Sequence, residues 1–327
     1  MANISTLVTL PGNLSRLFGR CPSTDQQIRI VIPAESASLF VMHRFATTLV
    51  VASLIFNCAL GADVGEGNVN DLLNQARAAS RDGKTQEAIA FATKAIEADP
   101  KNGNSYYIRG QFYEMTGEHA KAIADYDQVL RFDSRAPEVY QHRGSEHFKL
   151  GHIAESIADF DKFIELIPRQ APYHWQRGIS LYYAGRYVEA GRQFELHQTV
   201  NPNDVENAVW HFLCVARSAG VAKARASLIP IKGDARVPMA EIHALFGGKS
   251  KPEDVLAAAK AGDPPSATLN NRLFYAHLYL GLYYEATGDE SRAREYIFKA
   301  AERSQENDYM GDVARVHADL LRKKEKK

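Results

Sequence analysis

Eleven histidines, a cysteine at position 214 and a Gly-Ile-Ser tripeptide at 178–180 are the residues from which this sequence could build chemistry. His142, His147 and His152 follow one another at intervals of five. On a helix that interval turns two side chains about 140° apart, whereas a metal pair needs the i,i+4 spacing that puts both on one face. Glu138 and His142 do share a face. Alone they make a solvated hydrogen-bonded pair rather than an acid–base site. Gly178-Ile179-Ser180 lacks the second glycine and the preceding strand of a nucleophile elbow, and no phosphate-binding glycine loop occurs. Cys214 sits in the apolar run VWHFLCV at 209–215 and reads as a small core residue. No catalytic residue, metal or cofactor is expected, and the chain is not expected to be an enzyme.

Binding remains. Lys plus Arg equals Asp plus Glu, 39 of each, so no global basic field exists to hold nucleic acid. Residues 63–327 are near neutral as well, with 35 basic and 37 acidic side chains. Partners must be selected by shape and by local groups. The groups available are rings beside amides: Asn104, Tyr107, Gln111 and Glu114, then Glu138, Gln141, Ser145 and Phe148, then Pro172, Trp175, Ile179 and Tyr182. Rings bury area and amides pair with a peptide backbone, so such a wall suits an extended peptide or a helix.

Positioning these groups on one wall requires a repeated element, and the sequence has one. Glycines recur every 34 residues at Gly83, Gly117, Gly151 and Gly185, and again at Gly110, Gly144 and Gly178, with Ala76 in the same register. Ala88, Ala122, Ser156 and Ala190 form a third column, and Pro100, Pro168 and Pro202 a fourth, with Ser134 in its gap. Each column has a task in a pair of antiparallel helices. The glycine at place 8 and the small residue at place 20 let the two helices approach. Aromatics at place 24 (Tyr126, Phe160, Phe194) fill the space beyond, glycine at place 15 stops the first helix, and proline at place 32 ends the second.

Period and small-residue columns together resemble the tetratricopeptide (TPR) repeat. That resemblance implies an all-α superhelix, an α-solenoid of antiparallel helix pairs, whose concave wall carries places 2, 5, 9 and 12 of each unit. Four units are expected at 69–204, the first atypical with Ala76 and Ala92 at the glycine and aromatic places. From Gly185 to Gly288 is three periods plus one residue, so degenerate helical repeats are expected at 205–268. Within them, helices should run over 205–218, from Pro238 to Gly247, and from about Ser250 to Gly262. Residues 269–327 should hold a C-terminal unit from Leu269, with Gly281, Tyr284, Gly288, Ala293 and Ala300 in repeat places, and an amphipathic capping helix at 308–323. Leu278 and Leu282 at places 5 and 9 predict that the last inner wall packs against intervening helices or a second subunit. The candidate partner-binding residues are Tyr107, Gln111, Gln141, Trp175, Ile179 and Tyr182. They lack the Lys and Asn of the TPR pocket that grips a terminal carboxylate.

A narrower likeness runs through QRGISLYYAGR at 176–186, NPND at 201–204, Trp210, EIHALFGG at 241–248 and YLGLYY at 279–284 with Gly288-Asp289. This order of features is similar to the NlpI-type bacterial periplasmic adaptor lipoproteins over roughly residues 103–303. The resemblance implies a non-enzymatic scaffold that binds proteins or peptides, forms a homodimer and brings a protease to cell-wall endopeptidases. No small-molecule substrate is implied.

The remaining signal is an address. MHRFATTLVVASLIFNCALGA at 42–62 has a short basic start, an apolar middle and a small-residue exit, which predicts a signal peptide over 42–61 cut after Gly61, with 62–68 as linker. A periplasmic or secreted protein is expected. Retention of 45–62 as a span, or a lipid on Cys58, would instead anchor it to a membrane, although Phe56-Asn57 are not the small residues a lipid site wants. Residues 1–41 read as an over-long extension. Their arginines and hydroxyls also suit an organelle transit peptide.

Overall fold

The computed structural model describes residues 66–305 and 308–325. The extension at 1–41, the signal peptide at 42–61 with Cys58, and the first residues of the linker lie outside the described residues. The described residues are helical throughout, without a strand. Helices pair in order: α1 (Glu66–Arg81) with α2 (Thr85–Ala98), α3 (Gly103–Met115) with α4 (His119–Phe132), α5 (Pro137–Lys149) with α6 (Ile153–Leu166), and α7 (Trp175–Tyr183) with α8 (Tyr187–Gln198). A 3-10 turn, Pro168–Tyr173, precedes α7.

Local chemistry sets the ends of these helices. The Asn102 side chain accepts from the Ser105 N–H at 3.1 Å to start α3, and Pro137 opens α5 where no N–H is needed. Gly83, Gly117, Gly151 and Gly185 follow the first helix of each pair with φ between +71° and +76°, the left-handed turn that favours glycine. The other glycine column is a steric matter. A Cβ on Gly110, Gly144 or Gly178 would lie 2.8 Å from the ring of Tyr126, Phe160 or Phe194 respectively. The place-24 aromatic therefore sits directly on the place-8 glycine, not in a space beyond it.

After α8 the pairing becomes irregular. Asp204 caps α9 (Val205–Ala219), its carboxylate accepting from the Glu206 N–H at 3.1 Å. The short helices α10 (Val221–Ala226), α11 (Met239–Phe246) and α12 (Pro252–Lys260) follow. The helices expected from Pro238 and Ser250 are thus α11 and α12. The last pair is α13 (Ser266–Thr287) with α14 (Glu290–Arg303), and α13 starts three residues before Leu269, directly after Pro265. Leu278 and Leu282 are fully buried, and α13 packs on α9, α11 and α12, so intervening helices cover its inner wall. No described helix is long and apolar enough to cross a membrane.

The closing helix, α15 (Tyr309–Glu325), does more than cap the stack. It packs on α14 and also reaches back to α5. One hydrophobic core consequently runs from Phe148 through α7, α9 and α13 to Ala318, whereas the first two units have small separate cores around Leu73 and Tyr126.

Candidate functional site

The inner wall is built by α3, α5 and α7, and its two ends differ. At the first end, Tyr107 and Gln111 of α3 and Gln141 of α5 are half-buried. Tyr107 stands edge-on to His142 with ring centroids 5.7 Å apart, and Gln141 donates to Gln176 across the repeat boundary at 2.5 Å. His142 is not hydrogen-bonded to Glu138. Its Nδ1 lies 3.0 Å from Glu114 of the preceding unit. Burial opposes protonation of His142, but the Glu114 hydrogen bond and charge prevail and raise its pKa. Beside it Glu146, fully buried, is held by His119 at 2.6 Å and Lys149 at 2.5 Å. Burial would push that carboxyl up, yet these two partners bring it below the usual carboxylate range.

At the other end the wall is occupied by the chain itself. Tyr309, at the start of α15, stacks on Phe148 at 5.4 Å and meets Trp175 edge-on at 5.1 Å. Two turns on, His317 Nδ1 lies 3.0 Å from the Tyr183 hydroxyl, a contact across 134 residues of chain, and its Nε2 lies 3.7 Å from Glu285 of α13. Burial lowers the pKa of His317, favouring the neutral imidazole against the opposing charge of Glu285. Trp175 is half-buried here, while Ile179 and Tyr182 are buried. Of the six candidates, Tyr107, Gln111, Gln141 and Trp175 retain exposed surface. Ile179 and Tyr182 face protein and offer none worth counting.

Family comparison matches residues 73–137 and 137–170 to tetratricopeptide repeat models. Residues 73–170 are tetratricopeptide repeats. Among solved structures, a tetratricopeptide repeat protein from Parabacteroides merdae ATCC 43184 superposes with TM-score 0.52 at 16% identity, over 76% of this chain and 98% of that one. MamA aligns with TM-score 0.46 at 19% identity, over 48% of this chain and 85% of that one. YrrB, a TPR protein with an unusual peptide-binding site, gives 0.38 at 20% identity over 70% and 97%. At such identities the likeness concerns the fold alone. No curated protein sequence matches the chain.

A further column joins the units. Arg109, Arg143 and Arg177 recur at place 7, each beside the place-8 glycine. Arg143 grips Asp159 in its own unit through two nitrogens at 2.8 and 2.7 Å, and Asp127 in the preceding unit at 2.6 Å. Arg109 does the same with Asp125 and Thr93, whereas Arg177 makes single bonds to Gln193 at 3.3 Å and Asp161 at 2.5 Å. The 34-residue recurrence of Arg-Gly could have revealed this column. The imidazoles of His147 and His152 also approach, to 3.4 Å. The 140° argument fails because α5 ends at Lys149 and the turn at Gly151 swings His152 back. Among the described residues no three His, Cys, Asp or Glu side chains form a group that could hold a metal.

Proposed function

We propose that this protein is a non-catalytic scaffold of the cell envelope that holds a protein segment against its inner wall at Tyr107, Gln111 and Gln141. The observation that carries the reading is the contrast between the two ends of one wall. Where α5 and α7 face inward, the wall accepts an amphipathic helix, α15, through stacked rings and a buried imidazole. At α3 the same repeat places carry a ring and amides with exposed surface, and none of the described helices lies over them as α15 does. A wall that packs one helix has the curvature and spacing to pack another.

The likeness to NlpI-type proteins extends this to an exported, dimer-forming adaptor that brings a protease to cell-wall enzymes. The apolar run at 45–62 supports export, and its retention would make the same scaffold a membrane-anchored subunit of an assembly or secretion complex. Affinity capture from the native host with Tyr107→Ala and Gln111→Ala chains tests the groove: loss of partners held by the unaltered chain is expected, and an unchanged partner set overturns the assignment. Mass spectrometry of the mature N-terminus tests export, with Ala62 or Asp63 expected. A start at Met1 would refute it.

A further inference from the structure

Where α7, α8 and α9 meet the start of α15, the fold forms a half-open cavity of about 330 Å³. Its walls are aromatic. Trp175 and Tyr309 stand at 90° to each other on one side, and Phe194 is stacked on Trp210 at 6.3 Å on the other, with Ile179 as apolar lining between. Three carboxylates, Asp204, Glu206 and Asp308, share the rest of the lining with His197, Asn201, Asn207 and Met310.

Positive charge at this place is short. Arg236 supplies one guanidinium to three carboxylates: Asp204 at 2.7 Å, Glu206 at 2.5 Å and Asp234 at 2.6 Å. Asp308 has no ion pair among the described residues; its hydrogen bonds go to the backbone of Met310 and Gly311 at the start of α15. Burial pushes Glu206 up to about 7 even though Tyr279 and Arg236 bond to it, and burial also raises Asp308. Both shifts are the mark of carboxylates left without enough compensating charge. Behind this wall the Trp210 indole N–H and the Asn207 side-chain carbonyl oxygen lack partners among the described residues, on residues only 2% and 3% exposed.

We propose that this cavity binds a cationic nitrogen group, a primary ammonium or a guanidinium, seated among the rings of Trp175, Tyr309 and Trp210 and paired with Asp308 and Glu206. Faces of indole and phenol rings attract a cation within about 6 Å of the ring centre. A carboxylate beside it adds a charge-assisted hydrogen bond. An anion would meet uncompensated carboxylates, and a neutral apolar group would leave them unpaired. The volume lies at the lower end of ligand pockets, about 300–1,000 Å³, which fits one long basic side chain or a small alkylamine. The group could be carried by a lysine or arginine of a bound protein segment or by a free amine, and both share this chemistry. The proposal stands apart from the groove at Tyr107, since no residue is common to the two.

Both tryptophans of the chain line the cavity, so intrinsic fluorescence reads it directly. The full chain would be titrated at constant ionic strength with n-butylammonium, n-propylguanidinium, Nα-acetyl-lysine amide, Nα-acetyl-arginine amide, a glycine-flanked arginine peptide and neutral n-butanol. A saturable emission change with the cations and none with butanol is expected. Asp308→Asn should weaken it at least tenfold while the circular dichroism spectrum is unchanged, because asparagine still caps α15. Glu206→Gln is the second variant and should weaken it too. Equal affinity for free and peptide-borne cations assigns the site to free amines, and tenfold tighter binding of the peptide assigns it to a protein side chain. Saturation by butanol alike, no saturable change with any cation, or wild-type affinity in both variants would overturn the proposal. The probes carry no groove-binding segment, so that failure would leave the scaffold reading untouched.

Discussion

Gly144→Ala and Gly191→Ala are the same chemical change on two helices, and they should move stability in opposite directions. At Gly144 the added Cβ would lie 2.8 and 2.9 Å from two ring carbons of Phe160 and 3.1 Å from Asp159 Cβ. Neither neighbour can yield: Phe160 is 0% exposed, and Asp159 is tethered through two bonds to Arg143. Forcing a methyl into such a core costs about 1–3 kcal/mol. Replacing a helical glycine by alanine returns roughly 1 kcal/mol of helix propensity. The net is a loss of up to about 2 kcal/mol. At Gly191 in α8 the new Cβ would meet only Cys214 Cβ at 3.7 Å, ordinary contact, so the propensity gain of about 0.5–1 kcal/mol should survive as added stability. Urea unfolding followed by helical circular dichroism measures both. If Gly144→Ala proves as stable as the unaltered chain, or the two midpoints move in the same direction, the argument that helix contact selects the place-8 glycine is wrong.

Three other outcomes follow from the geometry. Arg143→Ala strands Asp159, 5% exposed, without its cation, and should cost about 3 kcal/mol, the low end for a broken buried pair because 20% of the Arg143 side chain is exposed. Arg177→Ala, whose acidic partner Asp161 has 46% of its side chain exposed, should cost less than about 1 kcal/mol in the same urea experiment. Burial holds His174 and His277 at about 4 and lowers His317, so their neutral forms favour the fold. Their contribution is complete above the unfolded value of about 6.5 and is lost as pH falls from there toward 4. His142, with its raised pKa, works the other way, losing its contribution as pH rises through that pKa. Stability measured between pH 7 and 4 should fall, and His174→Gln should flatten the slope. Removing residues 304–327 should uncover Phe148, Trp175 and Tyr183, seen as a red shift of tryptophan emission in the truncated chain.

The sequence disclosed what is local or periodic. Gly117 and its equivalents mark turns that need positive φ, Asp204 caps α9, and Pro252 opens α12, each within a few residues of its cause. Recurrence at 34 multiplied those signals into a fold. The contact of Tyr126 on Gly110 was half legible, because two columns show that helices touch without showing which atoms do. Pairing of His147 with His152 was hidden by treating the interval as one helix when it contains a turn. The seat of α15 had no local signal. Tyr183 and His317 are 134 residues apart, and the amphipathic pattern of α15 states that a face must be covered without saying by what. The cavity at Trp175 and Trp210 was illegible for the same reason, since four separate segments build it.

The central claim is that one end of the inner wall is filled by α15 while none of the described helices covers the end at Tyr107. Hydrogen exchange on the full chain and on a chain ending at Arg303 tests this most directly. The account predicts that amides of α15 are as protected as those of α13, and that truncation deprotects α7 and the end of α5 while leaving α1–α3 unchanged. An α15 that exchanges like an isolated helix, or a truncation that leaves α7 as protected as before, would contradict it.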